Sequence, residues 1–430
     1  MEVLAKEARS PAHTASAARF HAMDSLRAFA MLLGIFLHAA MSFSRYPHES
    51  WPIRDSQTHW IADLLILFIH TFRMPLFFLI AGFFAHLLYH RMGFAGFVRH
   101  RGMRIVLPFA VSFVIIVPVL DGLWIYGSLV VGAADARSPI WPAITRHIMA
   151  GTFLAHLNTA HLWFLYYLIF LYAMAMVFAT LAKQFVRTEM QDRTDRSVRS
   201  IMRSGWKPMI LAVPTGLILY GTGHLTFETP VSLIPDGRQL VAYGIFFGFG
   251  WLLHRQPELL RECQRHHWIY MLGALVIAFP AYLVLGQLTL HLPIGSPLSG
   301  LLRCSAVMMH ALVTWLIIFG MTGFSLVFLN GPNKKIRYVS DSSYWLYLAH
   351  APLIVYLQIL LANSQLHGFL KYFLIVSISF VALFASYHLF VRFTVIGGIL
   401  NGTRHRRAAV YTPPYPDPET HQPEALPHPH

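Results

Sequence analysis

Long apolar runs recur along this chain, each near or above the roughly 20 residues that a helix needs to cross a bilayer. Ile105 to Val131, Leu162 to Ala182 and Tyr372 to Phe390 are three of them. Charged residues make up only 12% of the 430, against about 25% in soluble globular chains. A water-soluble domain is excluded, and the chain reads as all-α and polytopic.

Setting apolar runs against polar punctuation predicts ten transmembrane helices, near 26-44, 61-89, 105-127, 160-181, 208-225, 238-253, 268-288, 301-329, 342-362 and 372-396. Alternate connections hold 23 of the 33 Lys and Arg, whereas those at 45-58, 128-146, 226-236, 289-300 and 363-371 together hold five. By the positive-inside rule both termini are expected in the cytoplasm of a multi-pass inner-membrane protein. The net charge of +14 thus reads as topology. No aromatic-interleaved basic domain is visible, so no nucleic-acid partner is expected beside the lipid bilayer.

Two cysteines, Cys263 and Cys304, provide neither a disulfide framework nor a Cys-based metal site. A polar N-terminal stretch followed by many spans suits a retained signal-anchor, with Met1 to His430 expected as one mature chain. Pro75 predicts a kink or tilt in the second span, and Ser138 to Ala160 could lie along the outer interface. From Tyr411 the tail holds seven prolines in twenty residues and reads as disordered, its His421, His428 and His430 as solvated. The sequon at Asn401 to Thr403 falls on the expected cytoplasmic side.

Ionisable side chains inside a bilayer cost several kcal/mol unless paired or hydrated, so each one marks a functional candidate. Arg27 and His38 are eleven residues apart, which on a helix leaves them about 20° from alignment and about 16 Å apart along the axis. Ala30 and Gly34 lie between them on that face and would leave a groove from arginine to histidine. A small-residue helix contact explains the alanine and glycine alone, but not the charged residues at the ends. Asp63, His70 and Arg73 share one broad face of the second span, either as a network neutralising Arg73 or as part of a site. Arg101 and Arg104 at the mouth of the third span could hold a phosphorylated ligand, or be ordinary positive-inside charge. His161, beside Trp163, and His350 sit at span ends, where hydrogen-bonded interface histidines are common. No G-x-S-x-G elbow, P-loop, H-E-x-x-H or H-x-x-x-x-D acyltransferase signature occurs.

In order and spacing these residues resemble the acyltransferase-3 family of integral membrane proteins, most closely its branch acting on periplasmic glucans. The resemblance runs from about Phe20 to Arg392. It rests on Asp24-Ser25-Leu26-Arg27 leading to His38, Phe72-Arg73-Met74-Pro75-Leu76-Phe77-Phe78, Arg101-Gly102-Met103-Arg104, His161-Leu162-Trp163-Phe164-Leu165 and Tyr347-Leu348-Ala349-His350-Ala351-Pro352. Where the family often has a serine before Gly-Phe, this chain has Ala81, so no hydroxyl role carries over there.

Charge asymmetry and composition predict a cytoplasmic N-terminal segment over 1-23 and a Pro-rich cytoplasmic tail over 398-430, and the resemblance implies an acyltransferase membrane domain over 24-397 between them. It implies transfer of an acyl group, succinyl in the glucan branch, from cytoplasmic acyl-CoA as co-substrate to a glucan hydroxyl across the membrane. No permanently bound cofactor and no metal are expected, and glucan-biosynthesis proteins of the membrane or periplasm are possible partners. His38 is then expected as general base, Arg27 as donor anchor oriented by Asp24, and Arg101 and Arg104 as acyl-CoA ligands. Arg73 is expected to bind the acyl-CoA or stabilise the oxyanion, and Asp63, His70, His161, Trp163 and His350 to bind substrate or support the site. Two alternatives stay open: O-acetylation of a surface polysaccharide or lipid-linked sugar with acetyl-CoA, and a transporter or flippase.

Overall fold

In a computed structural model, residues 11–46, 51–131, 157–293, 296–331 and 333–401 are described, with the isolated positions Pro142 and Thr145. The tail histidines, Gly402 and Thr403 of the sequon, residues 1–10 and most of the expected interfacial stretch 138–160 lie outside the described residues. Among the described residues every regular element is helical.

The main helices are α1 (Pro11–Met41), α2 (Trp60–Arg101), α3 (Leu107–Val130), α4 (Trp163–Phe185), α5 (Thr188–Arg203), α6 (Lys207–Thr222), α7 (Gly237–His254), α8 (His267–Leu290), α9 (Pro297–Phe328), α10 (Lys334–Ala362) and α11 (Gly368–Ser386). Seven continuous helical segments among the described residues are long and apolar enough to cross a membrane, which makes the chain a polytopic membrane protein. One of the seven, Trp60–Val130, contains two expected spans. They are joined through Gly93, at φ 68°, and a π-helical turn over Gly102–Val106. A positive φ suits a residue without Cβ, so the chain bends there; within α2 the backbone leaves helical geometry at Gly93 and not at Pro75. Helices α6 and α7, at 16 and 18 residues, stand where the fifth and sixth spans were expected.

Two differences from the sequence reading are local. Helix α1 begins well before residue 26, because Ala12, Ala15, Ala17 and Ala18 are strong helix formers. The basic connection 182–207 is mostly a helix, α5, with Val198 and Met202 buried beneath an arginine-rich surface.

The core is continuous from α1 through α10. Helices α2 and α7 approach most closely: a Cβ at Gly82 would collide with the carbonyl of Phe247, and one at Gly250 with that of Leu79. Helices in lipid gain little from apolar burial against each other, so close backbone approach at small residues supplies the packing energy. Helix α1 packs against α2, α9 and α10, and these four helices carry most of the ionisable groups described next.

Candidate active site

A cavity of about 1060 Å³ is enclosed by α1, α2, α9 and α10, with contributions from α3, α4 and α8. Its lining includes Tyr46, Trp51 and Trp60 and residues of the 226–231 segment, in or beside the connections poor in Lys and Arg. Five histidines reach it: His38, His70, His161, His310 and His350, together with Arg73.

His38 stands one turn before the end of α1. Its Nδ1 is sealed from solvent without a hydrogen-bond partner, while Nε2 remains accessible from the cavity. The ring lies 5.0 Å from that of His350 and 5.1 Å from Trp51, which meets it edge-on at 86°. His350 lies in turn 5.2 Å from His161. Both outer histidines are tied to α10 backbone: His350 Nδ1 donates to the Tyr347 carbonyl at 2.7 Å, and His161 Nε2 to the Leu348 carbonyl at 3.1 Å. The Tyr347 hydroxyl donates back to the His161 carbonyl at 2.8 Å.

Arg73 comes from α2 to the same place. A Cβ on Gly34 would run into Arg73 Nη1, with His350 Nε2 3.7 Å away. The glycine makes room for a guanidinium against α1, one turn below His38. Among the described residues Arg73 has no ion-pair partner, and its Nε is buried without a hydrogen bond. An unpaired cation inside a membrane protein is expensive, and its terminal nitrogens remain free for an anionic ligand atom.

The stripe from Arg27 to His38 is therefore no open groove, which corrects the expectation. Ala30 is fully buried and the space above Gly34 is occupied by Arg73. Arg27 lies outside the cavity, 38% exposed, with its Nη2 3.1 Å from Asp24 Oδ1 as the i, i+3 spacing suggested. It shares electrostatic range with Arg101 and Arg104. The Arg101 guanidinium lies over the Tyr172 ring at 4.6 Å, and its Nε and Nη2 are buried without partners. The Arg104 carbonyl accepts from the Tyr344 hydroxyl at 2.9 Å. Tyr344 stacks toward Tyr347 at 6.5 Å, so α10 carries aromatic rings from the arginine group to the cavity lining. Arg73, grouped in sequence with Arg101 and Arg104, sits with His38 instead.

The remaining expected residues have distinct places. Asp63 accepts from Ser44 Oγ at 2.6 Å and from Arg45 N and Nε at 3.0 and 2.8 Å, fixing the turn after α1. His70 Nε2 pairs with Thr229 Oγ1 at 3.1 Å. Trp163 is buried against Tyr243 and Tyr167 and forms part of the wall.

Several groups escaped the sequence reading. His310 lies on α9 with both ring nitrogens buried and without hydrogen bonds; a histidine inside an apolar run was its signal. Gln358, Trp51, Asp55 and Lys371 gave none beyond the polar character of Gln358 within a span. Gln358 Nε2 donates to the His38 carbonyl, and its Oε1 accepts from Trp51 Nε1 at 3.0 Å. Lys371, fully buried, pairs with Asp55 at 2.9 Å and holds the loop that carries Trp51. A further pair, His86 and His254, joins through Nδ1 atoms 2.8 Å apart outside the cavity. Cys263 lies buried outside the cavity, and burial pushes its thiol up to about 12.

Histidines and an unpaired arginine around one cavity within a polytopic helical fold define the class. The chain belongs to the acyltransferase-3 family, whose acyltransferase domain matches residues 20–388, and is a multi-pass membrane acyltransferase. Among known proteins it is similar to the glucans biosynthesis protein C of Salmonella typhimurium and of Salmonella typhi. It is 26% identical to each over 366 residues, covering 82% of this chain and 88% of theirs. The counterpart in Salmonella dublin is 26% identical over 365 residues, with the same coverage. No solved structure matches.

Proposed function

We propose that the enzyme transfers an acyl group from cytoplasmic acyl-CoA to a carbohydrate hydroxyl at the opposite face of the inner membrane, with His38 as general base. The observation that carries this reading is that His38 lines a cavity together with Tyr46, Trp51 and Trp60, whereas Arg27, Arg101 and Arg104, toward the other end of α1, lie outside it. Donor and acceptor would enter from opposite sides and meet at the imidazole.

The arginine group suits the phosphates of an acyl-CoA, since guanidinium forks match phosphate oxygens. The cavity lining suits a sugar: the aromatic faces of Trp51, Trp60 and Trp124 complement the C–H faces of a pyranose, and Glu228 can accept its hydroxyls. The relatives' name makes a glucan the first acceptor to test, and glucan-synthesising proteins of the periplasm its natural suppliers. Succinyl is the acyl group carried by the resemblance.

In the reaction His38 Nε2 takes the hydroxyl proton as the sugar oxygen attacks the thioester carbonyl. The C–O bond forms, the C–S bond breaks, and the departing CoA thiolate recovers the proton from the imidazolium. The developing oxyanion would be met by the terminal nitrogens of Arg73, already in place and desolvated. No acyl-enzyme is required.

Purified protein in nanodiscs, given succinyl-CoA or acetyl-CoA with a neutral gluco-oligosaccharide, tests this. Acceptor-dependent release of free CoA with an acylated sugar in the mass spectrum is the expected result. Acetyl transfer alone would move the reading to O-acetylation, and sugar movement without CoA release would move it to transport.

A further inference from the structure

A general base needs its lone pair on the nitrogen that faces the substrate, and an imidazole keeps it there only if its other N–H has an acceptor. We propose that His350 is the positioning residue that supplies this acceptor, so that the Tyr347 carbonyl, His350 and His38 form one directional chain ending at His38 Nε2. The proposal rests on the reading of His38 as base.

The direction starts at the backbone. A carbonyl can only accept, so the 2.7 Å contact puts a proton on His350 Nδ1 and leaves the lone pair on its Nε2. That nitrogen is buried with no donor assigned to it, and the same is true of His38 Nδ1. The two orphaned atoms belong to rings whose centroids are 5.0 Å apart. The two nitrogens are not bonded to each other in this structure, but each stands off its ring centroid by a little less than a ring bond length, so at this separation rotation of either ring brings them within reach of an N–H···N bond.

Helix geometry places them on the same side. Side chains of an α-helix lean toward its N-terminus, so His38 covers the surface above Gly34, one turn below. His350 Nε2 lies 3.7 Å from where a Gly34 Cβ would stand, beneath the leaning imidazole. His38 Nε2, by contrast, opens to the cavity. Two buried unsatisfied nitrogens are each costly, and pairing one with the other removes both penalties. Catalytic hydrogen bonds of this kind commonly tighten when substrate closes the site.

The test reads the tautomer directly. Protein labelled with 15N-histidine in nanodiscs should show His38, assigned by its loss in His38→Gln, protonated on Nδ1 and bare on Nε2. In His350→Ala the Nε2-protonated form should rise to a comparable population, and His350→Gln, whose side-chain oxygen can accept, should restore the wild-type pattern. With succinyl-CoA and a gluco-oligosaccharide, His350→Ala should lower kcat about 10- to 100-fold with KM for either substrate within about twofold. In a His38→Ala background it should have no further effect. An Nε2-protonated His38 in the wild type, or a tautomer unmoved by His350→Ala, would overturn the proposal. Failure of the base reading looks different: His38→Ala protein would still acylate sugar whatever the tautomer shows.

Discussion

The side-chain amide of Gln358 donates to the backbone carbonyl of His38 at 2.9 Å, and to that of Ala39 at 3.3 Å. The last carbonyls of a helix have no partner within it, so Gln358 on α10 closes the end of α1 at the residue proposed to do the chemistry. Because its Oε1 also holds the indole of Trp51, one amide sets both the backbone of His38 and the ring packed on its imidazole.

Gln358→Leu should therefore lower kcat about tenfold while KM changes little, and cost about 1–3 kcal/mol of stability from the groups left unpaired. Steady-state CoA release and thermal unfolding in detergent measure the two effects. A Gln358→Glu variant keeps the acceptor for Trp51 but loses the donor to His38, so it should retain the kinetic defect.

The buried pair of Lys371 and Asp55 anchors the Trp51 loop from a second direction, with Lys371 Nζ also donating to the Ala362 carbonyl at 3.1 Å. Removing one partner strands the other charge, so Lys371→Met or Asp55→Leu alone should cost about 3–5 kcal/mol. The double variant should recover much of that loss. Equal stability of single and double variants in thermal melts would contradict this account.

At Gly34 a methyl group would meet Arg73 Nη1. Gly34→Ala should displace the guanidinium at an overpacking cost of about 1–3 kcal/mol and reduce kcat at least tenfold. Gly248→Ala, where a Cβ has open space and which does not line the cavity, serves as the control and should lower neither stability nor kcat.

Arg101→Ala combined with Arg104→Ala should weaken acyl-CoA binding, measured by calorimetry, with the protein still inserted. Unchanged donor affinity would return these arginines to a purely topological role. Free CoA added to the wild type should compete with the acyl donor at the same site.

His38→Ala should lower acceptor-dependent CoA release by about 10² to 10⁴, the range of general acid-base catalysis, at normal expression and with donor affinity unchanged. Product formation near the wild-type rate in a well-inserted variant would remove the catalytic role.

Much of this was readable from one dimension because a bilayer imposes local rules. Every span must be apolar over a fixed length, so the apolar runs stand out, and the few ionisable residues inside them, Arg27, His38, His70 and Arg73, mark themselves by their cost. Helical periodicity also put Asp63, His70 and Arg73 on one face, and all three line the cavity.

Periodicity within a helix does not say which neighbour the face meets. Arg27 and His38 share a stripe, yet Arg73 from α2 fills the space between them at Gly34. Partners about 300 residues apart, such as Gln358 with His38 or Lys371 with Asp55, leave no local pattern at all.

The sequence by itself determined that the chain crosses a membrane repeatedly and that its first helix carries a costly arginine and histidine, because length and polarity are properties of each segment alone. Only the tertiary structure decided that Arg27 stays outside the cavity that His38 lines, with His38 joined there by Arg73, His161 and His350. The helix rotations and crossings that bring those side chains together arise from packing between segments, and no single segment encodes them.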